Sequence, residues 1–200
     1  MSSKKHLIVL SAPSGAGKTT VARHLLQTFP FLRFSVSATT RTKRAGEEHG
    51  RDYFFLSRDE FRRAIEQDDL IEYEEIFGNY YGTLRSVVAE AVQRGEFLIF
   101  DVDVKGAISL RKAFPDDTLL MFVAPPDLET LATRLRSRHT ETDEQIELRL
   151  SRAEMEMGHQ DQFDVVLVND NLEQTLHKAE EVVRFHTEGA PRQPSLFGEA

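Results

Sequence analysis

The stretch that most narrows the folds open to this chain is HLIVLSAPSGAGKTTVARHLL, residues 6–26. A short apolar run, Leu7–Leu10, leads into a turn with glycines at 15 and 17, and a helix-forming run follows from Lys18. Strand, glycine loop and helix in direct succession open a βαβ unit, and the loop is a phosphate cradle. Glycine lets the backbone curl so that successive N–H groups point inward at an anion, and the helix N-terminus adds its dipole. The usual pattern is G-x-x-x-x-G-K-[ST]; here Ala12 stands at the first glycine position. Lys18 is placed to reach the β- and γ-phosphates of a nucleoside triphosphate, and Thr19 to offer its hydroxyl to Mg2+. A glycine turn capping a helix beside a solvated lysine is the plainer alternative. The strand before the loop and the helix after it argue against that.

The rest of the composition sets bounds. Two hundred residues, 40% of them hydrophobic, suit one domain with small inserted lobes. The net charge of −8 makes the chain a poor candidate for coating nucleic acid or an anionic membrane. Any phosphate site must therefore be a local basic cluster. With no cysteine, disulfides, thiolate metal sites and cysteine nucleophiles are excluded. The apolar run after Lys4-Lys5 is too short for a signal peptide, and no segment approaches the length of a membrane span.

Continuous apolar runs such as FLIF (97–100) and LLMFV (119–123) alternate with helical patterns, which predicts a central parallel sheet flanked by helices. Strands are expected at Leu7–Leu10, Arg33–Val36, Tyr53–Leu56, Ile71–Phe77, Phe97–Val102, Leu119–Val123 and Val165–Val168. Two helix starts, Ser57 with Glu60 and Thr142 with Gln145, have the spacing of a capping box. Between about 33 and 83 short strands with mixed polar faces suggest an inserted α+β lobe. The expected plan is a single domain over 1–187, with a core of about 5–32, 84–133 and 150–187, a lid of about 134–149, and a flexible tail over 188–200.

Inside the lobe, Arg41, Lys43 and Arg44 lie among hydroxyls, and no acid appears until Glu47. In an acidic protein such a cluster asks for an anion, and arginine can bond two phosphate oxygens at once. Tyr53 and Tyr81 can add phenolic donors. A solvated basic loop is the plainer reading. In LIEYEEIFGNYYGT, Glu72 and Glu74 share a strand face. A carboxylate near a bound base accepts from N1–H and the 2-amino group of guanine, a donor pair that adenine lacks. Asp101 and Asp103 follow the FLIF run, at the carboxyl end of a buried strand, where open α/β sheets bind ligands. Asp101 stands where an acid can bind Mg2+, partly through water, or hold a basic side chain. Farther on, Arg134 and Arg138 share a helix face, and Arg149 returns on the next helix. Two helices with inward arginines make a closing lid that stabilises a phosphoryl group in flight. Arg136 and Arg152 are expected to pair with acids on the solvated surface.

Taken together, these blocks make the chain resemble a guanylate kinase over residues 6–186. The resemblance rests on SAPSGAGKTT, SVSATTRTKRAGEEHGRDYFF, IEYEEIFGNYYGT, FLIFDVDVKGA, RSRHTETDEQIELRL and FDVVLVNDN. It implies a P-loop kinase that passes the γ-phosphoryl group of ATP to GMP, and to dGMP, with Mg2+, as part of purine metabolism; a cytoplasmic location is expected from the missing targeting signals and from substrate supply. By the same resemblance, Ser14, Gly15, Ala16, Gly17, Lys18, Thr19 and Thr20 hold ATP, with Asn169 near adenine. Ser37, Glu72, Thr83 and Asp103 contact guanine, and Arg41, Arg44, Tyr53 and Tyr81 grip the GMP phosphate. Lys18, Arg41, Arg44, Arg134, Arg138 and Arg149 carry the catalysis, and Thr19 and Asp101 serve Mg2+. Two rivals stay open on sequence alone. One is a guanylate-kinase-like module that binds a partner without turnover; the other is a related P-loop kinase with another phosphorylated acceptor. The tail segment QPSLF also resembles a short peptide that docks in bacterial sliding clamps through Gln193, Leu196 and Phe197, set against the plainer reading of a featureless tail.

Overall fold

A strand with no polar side must be covered on both faces, and the most apolar runs of the chain are. The computed structural model describes residues 4–137 and 142–187. In it, β1 (Leu7–Ser11) and β8 (Thr118–Ala124) have every residue buried. They lie side by side in a parallel sheet with β2 (Leu32–Phe34), β7 (Phe97–Asp101) and β9 (Val165–Val168), in the order β2-β7-β1-β8-β9. Alternation along each strand gives this sheet two apolar faces. Ile8, Leu10, Ile99 and Met121 meet α1 (Lys18–Thr28) and α7 (Leu172–His186) through Val21, Leu25, Ala179 and Val183. Leu7, Val9, Phe100 and Phe122 meet α3 (Arg85–Gln93) and α4 (Val104–Ala113) through Val88, Ala107 and Leu110. The chain thus leaves β1 on one face, through α1, and leaves β7 on the other, through α4. Their carboxyl ends, paired at Leu10 and Asp101, form a switch point where an open α/β sheet leaves a crevice.

Residues between β2 and α3 build a second, mixed sheet in the order β4-β3-β6-β5. Its strands are β3 (Ala38–Thr39), β4 (Phe54–Phe55), β5 (Leu70–Ile76) and β6 (Asn79–Leu84). One face is covered by α2 (Arg58–Glu66), whose Phe61 and Ala64 pack with Ala38, Leu70, Tyr80 and Leu84. α5 (Leu128–Arg136) and α6 (Asp143–Met157) form a pair around Leu131, Leu135, Ile146 and Ala153. Both capping boxes are made: Ser57 and Glu60 start α2, and Thr142 and Gln145 start α6.

The expected Arg33–Val36 strand is shorter and shifted, as β2. β3 and β6 are strands that no apolar run marks. β3 has two residues, and β6 contains Asn and Gly, which strands disfavour; both are held in place by their partners. No helix among the described residues is long and apolar enough to cross a membrane. Arg138 and the tail residues Gln193, Leu196 and Phe197 lie outside the described residues.

Candidate functional site

The cradle sits where β1 ends and α1 begins. Ala12 is buried and keeps an ordinary negative φ, so alanine at the first glycine position introduces no backbone strain. Gly17 is different. Its φ is +106°, and a Cβ there would lie 2.4 Å from Nδ2 of Asn169. That amide approaches closely because it donates to the carbonyl of Ala16 at 2.7 Å. Asn169 follows β9, so the loop after the edge strand braces the cradle from behind. Arg134 on α5 in turn donates through Nη2 to the carbonyl of Asn169 at 2.8 Å. Arg149 on α6 donates through Nη1 to Oγ of Ser14.

Lys18 reaches across to the end of β7. Its Nζ lies 2.7 Å from Oδ1 of Asp101 and donates to the carbonyl of Val102 at 3.0 Å. Of the two roles the sequence allows Asp101, holding a basic side chain is therefore the one observed. Asp103 caps α4, accepting from the N–H of Gly106 at 2.8 Å.

The cradle opens onto a cavity of about 750 Å³ lined by Ser14, Lys18, Thr19, Asp103, Arg149 and, from the turn between β5 and β6, Phe77. A second cavity of about 990 Å³ adjoins it and contains Glu72 and Glu74. Asp103 and Arg152 line both. Arg152 is exposed and pairs with acids, as expected, at the rim shared by the two cavities. Its Nε donates to Glu156 at 3.1 Å, while Nη2 lies 3.9 Å from Asp103 and 3.8 Å from Glu74.

The open face of the second sheet collects the predicted acceptor groups. Residues directly opposite in a ladder project to the same side. Glu72 faces Thr83, Glu74 faces Tyr81, and Tyr81 faces Thr39. On the other side, Tyr73, Tyr80 and Ala38 meet Phe61 of α2. A bulge makes this sorting work. β5 carries one extra residue, Ile71, between the pairs Leu70–Leu84 and Glu72–Thr83. Leu70 thereby turns to the core under α2, Ile71 packs on the hydrophobic cluster shared by the first sheet, α3 and α4, and Glu72 stays on the open face.

Thr83 donates its hydroxyl to Oε1 of Glu72 at 2.6 Å. Burial pushes the Glu72 carboxyl above the usual carboxylate range, the Thr83 hydrogen bond opposes this, and the nearby charges of Asp103 and Glu74 add to the rise. Ser37 lies one residue before β3. Tyr53 and Tyr81 have ring centroids 6.2 Å apart. The Arg41 guanidinium lies 5.2 Å from the Tyr53 ring and pairs with Glu47. Arg44 forms no side-chain hydrogen bond among the described residues; its backbone N–H donates to Glu47 Oε2 at 2.7 Å, and its carbonyl accepts from the Glu47 N–H at 3.2 Å.

The structure thus brings Ser14, Lys18, Thr19, Asp103 and Arg149 to the first cavity and Glu72 and Asp103 to the second, while Arg41, Tyr53 and Tyr81 cluster on the second sheet. Two groups have partners that the sequence did not announce. The Asn169 amide serves the cradle backbone, and Arg41 is already paired. Glu47 and the bracing role of Asn169 escaped sequence reasoning, because one depends on a loop closed by its own side chains and the other on a partner distant in the chain.

Comparison with known proteins agrees with this arrangement. The guanylate kinase family profile matches residues 4–186. The chain is 52% identical over 167 residues to a guanylate kinase of Chlorobium luteolum, covering 84% of this chain and 85% of that one. It is 46% identical over 190 residues to a guanylate kinase of Maricaulis maris, covering 95% and 87%. The crystal structure of guanylate kinase from Anaplasma phagocytophilum superposes with a TM-score of 0.67 at 32% identity, over 97% of this chain and 92% of that one.

Proposed function

The chain belongs to the guanylate kinase family and transfers the γ-phosphoryl group of ATP to GMP, giving ADP and GDP, and we propose that it does so across the cleft between the cradle and the open face of the second sheet. One observation carries the assignment of roles: the ladder register sets Glu72 beside Thr83 on the side of Tyr81, with Asp103 brought close from the first sheet. Glu72 and Asp103 accept from N1–H and the 2-amino group of guanine, and the hydroxyls of Ser37 and Thr83 complete the base site. A site built around buried acceptors rejects a base that leaves them unpaired. Arg41, Arg44, Tyr53 and Tyr81 hold the GMP phosphate. Backbone N–H groups from Ser14 to Thr20 and the Lys18 ammonium hold the ATP phosphates, and the loop at Asn169 borders adenine.

The attacking atom is an oxygen of the GMP phosphate, ionised near neutral pH, so no side chain has to remove a proton. Catalysis is then positioning and charge neutralisation. Lys18, steered by Asp101, meets the transferred group from the cradle side. Arg149, already in contact with the cradle at Ser14, meets it from α6, with Arg134 and Arg138 completing the set. Closure of the lid (about 134–149) and the lobe (about 33–83) on the core excludes water.

Mg2+ suits the donor set beside the cradle. Thr19 offers a hydroxyl and Asp101 a carboxylate oxygen, and no group of three acidic or imidazole ligands occurs among the described residues. Mg2+ takes one or two protein ligands together with water and substrate phosphates, so a sparse set of hard oxygens fits. When bound, it neutralises charge on the phosphate oxygens. We place the activity in the cytoplasm, where its nucleotide substrates are supplied.

ADP release with Mg-ATP and a panel of acceptors tests the reading: GMP, dGMP, AMP, CMP, UMP and a ribose bisphosphate. Turnover with GMP and dGMP alone is expected. Turnover with another acceptor in place of GMP would keep the cradle and overturn the base site.

A further inference from the structure

We infer that Glu47 is a positioning residue for the phosphoryl acceptor and acts through Arg41. The inference rests on the reading of Arg41 as a ligand of the GMP phosphate. Glu47 meets Arg41 end on: Oε1 accepts from Nη2 at 2.7 Å and Oε2 from Nη1 at 3.1 Å. The other Nη1 proton goes to the carbonyl of Thr42 at 2.9 Å. A guanidinium has five N–H groups in one plane, and these bonds use three of them. The two left over, on Nε and Nη2, share one edge and have no hydrogen-bond partner among the described residues. Two parallel N–H groups on one edge match two oxygens of a phosphate.

The plane itself is held by aromatic rings. The guanidinium carbon lies 5.2 Å from the Tyr53 centroid and 5.7 Å from that of Phe55. Tyr53 and Tyr81, the phenols assigned to the same phosphate, have ring centroids 6.2 Å apart. Glu47 does a second thing. Its Oε2 also accepts the backbone N–H of Arg44 at 2.7 Å, which closes residues 41–47 into a loop and ties the second arginine to the first. The Arg44 side chain is left without an ion pair among the described residues. One carboxylate thus spends the wrong edge of Arg41, leaves the right one free, and sets the spacing of the two cations.

The opposite role is a carboxylate that stands in for the phosphate and must be displaced by it. The two roles give opposite signs. The test compares E47Q, E47A and R41A by kcat, KM for GMP, KM for ATP and the inhibition constant of guanosine against GMP. Guanosine has the base and lacks the phosphate. Losing a charge-assisted, two-point bond should raise KM for GMP roughly tenfold or more in E47A, and by less in E47Q, which keeps one acceptor. KM for ATP and the guanosine constant should stay within about twofold of wild type, since neither ligand uses the Arg41 edge. An unchanged or lowered KM for GMP in E47Q overturns the inference. So does a guanosine constant that weakens in parallel with GMP, because that marks a general collapse of the lobe. If R41A leaves KM for GMP unchanged, the reading of Arg41 itself fails, whatever Glu47 does. Should E47A not fold, E47Q and R41A decide the matter.

Discussion

The two nucleotide sites of this chain are made of different material. The cradle is mostly backbone, carried by a strand buried along its whole length and braced from behind by Asn169. The acceptor face is mostly side chains on a small sheet, backed by a core of four buried residues, with its groups already in pairs: Glu72 with Thr83, Arg41 with Glu47. The difference follows from the task. Triphosphates look alike on every nucleotide, and backbone N–H groups, which almost every residue has, suffice to hold them if the shape is right. A base must be told from other bases, and only side chains carry that distinction. Substitutions should therefore act through charge transfer geometry and conformation at the cradle, and through acceptor affinity at the sheet.

Lys18→Ala should have the largest effect. Removing a preorganised cation from the transferred group should lower kcat by about 10²–10³ with little change in KM for GMP. Steady-state kinetics reading an unchanged kcat would take Lys18 out of the mechanism and break the comparison. Gly17→Ala should come next. Its backbone conformation is strained for any L side chain, and the added Cβ collides with Asn169. Misplacing the cradle by about 1 Å is expected to cost about 10²-fold in kcat/KM. Combining it with Asn169→Ala should restore part of the loss, because the collision goes and the strain stays. No restoration would mean that backbone strain alone is responsible.

Glu72→Gln should be smaller and fall on the other side of the comparison. KM for GMP should rise about tenfold, with KM for ATP unchanged. The raised carboxyl also has a stability consequence. A folded-state pKa above the unfolded one means that the folded protein binds the extra proton, so stability falls as pH rises through the interval between them. At neutral pH the buried charge is unfavourable. Glu72→Gln should therefore melt at a higher temperature than wild type near pH 7, and the gap should close as the pH falls toward about 4. A gap that widens on acidification would contradict the burial argument.

How much of this was legible in the sequence divides along the same line. The cradle, the buried strands and the capping boxes announce themselves, because each is a local pattern whose physics needs no partner: glycine at positive φ, unbroken apolar runs, a hydroxyl three residues before a carboxylate or amide. The acids at 72 and 101 were readable for the same reason, by position at a strand end or along a pleat. What stayed hidden was relational. β3 and β6 exist because of the strands beside them. Asn169 braces Ala16 from 153 residues away, and no spacing rule joins the two. Glu47 looked like the first acid after a basic run, and only the folded loop shows which edge of Arg41 it takes.

The bulge in β5 has a mechanical consequence. Leu70 and Ile71 are neighbours in the chain, yet one is embedded beneath α2 and the other in the cluster that α3 and α4 form with the first sheet. At that corner the two bodies are pinned to each other by adjacent links. A swing of the second sheet about that corner would have the length of β5 as its lever. In such a swing Glu72, beside the corner, would travel little, whereas Phe77, five residues on at about 3.3 Å per residue, would travel farther over the cavity it lines at the cradle. A lobe hinged in this way can close its far end on the phosphates while the end that reads the base stays in register with Asp103.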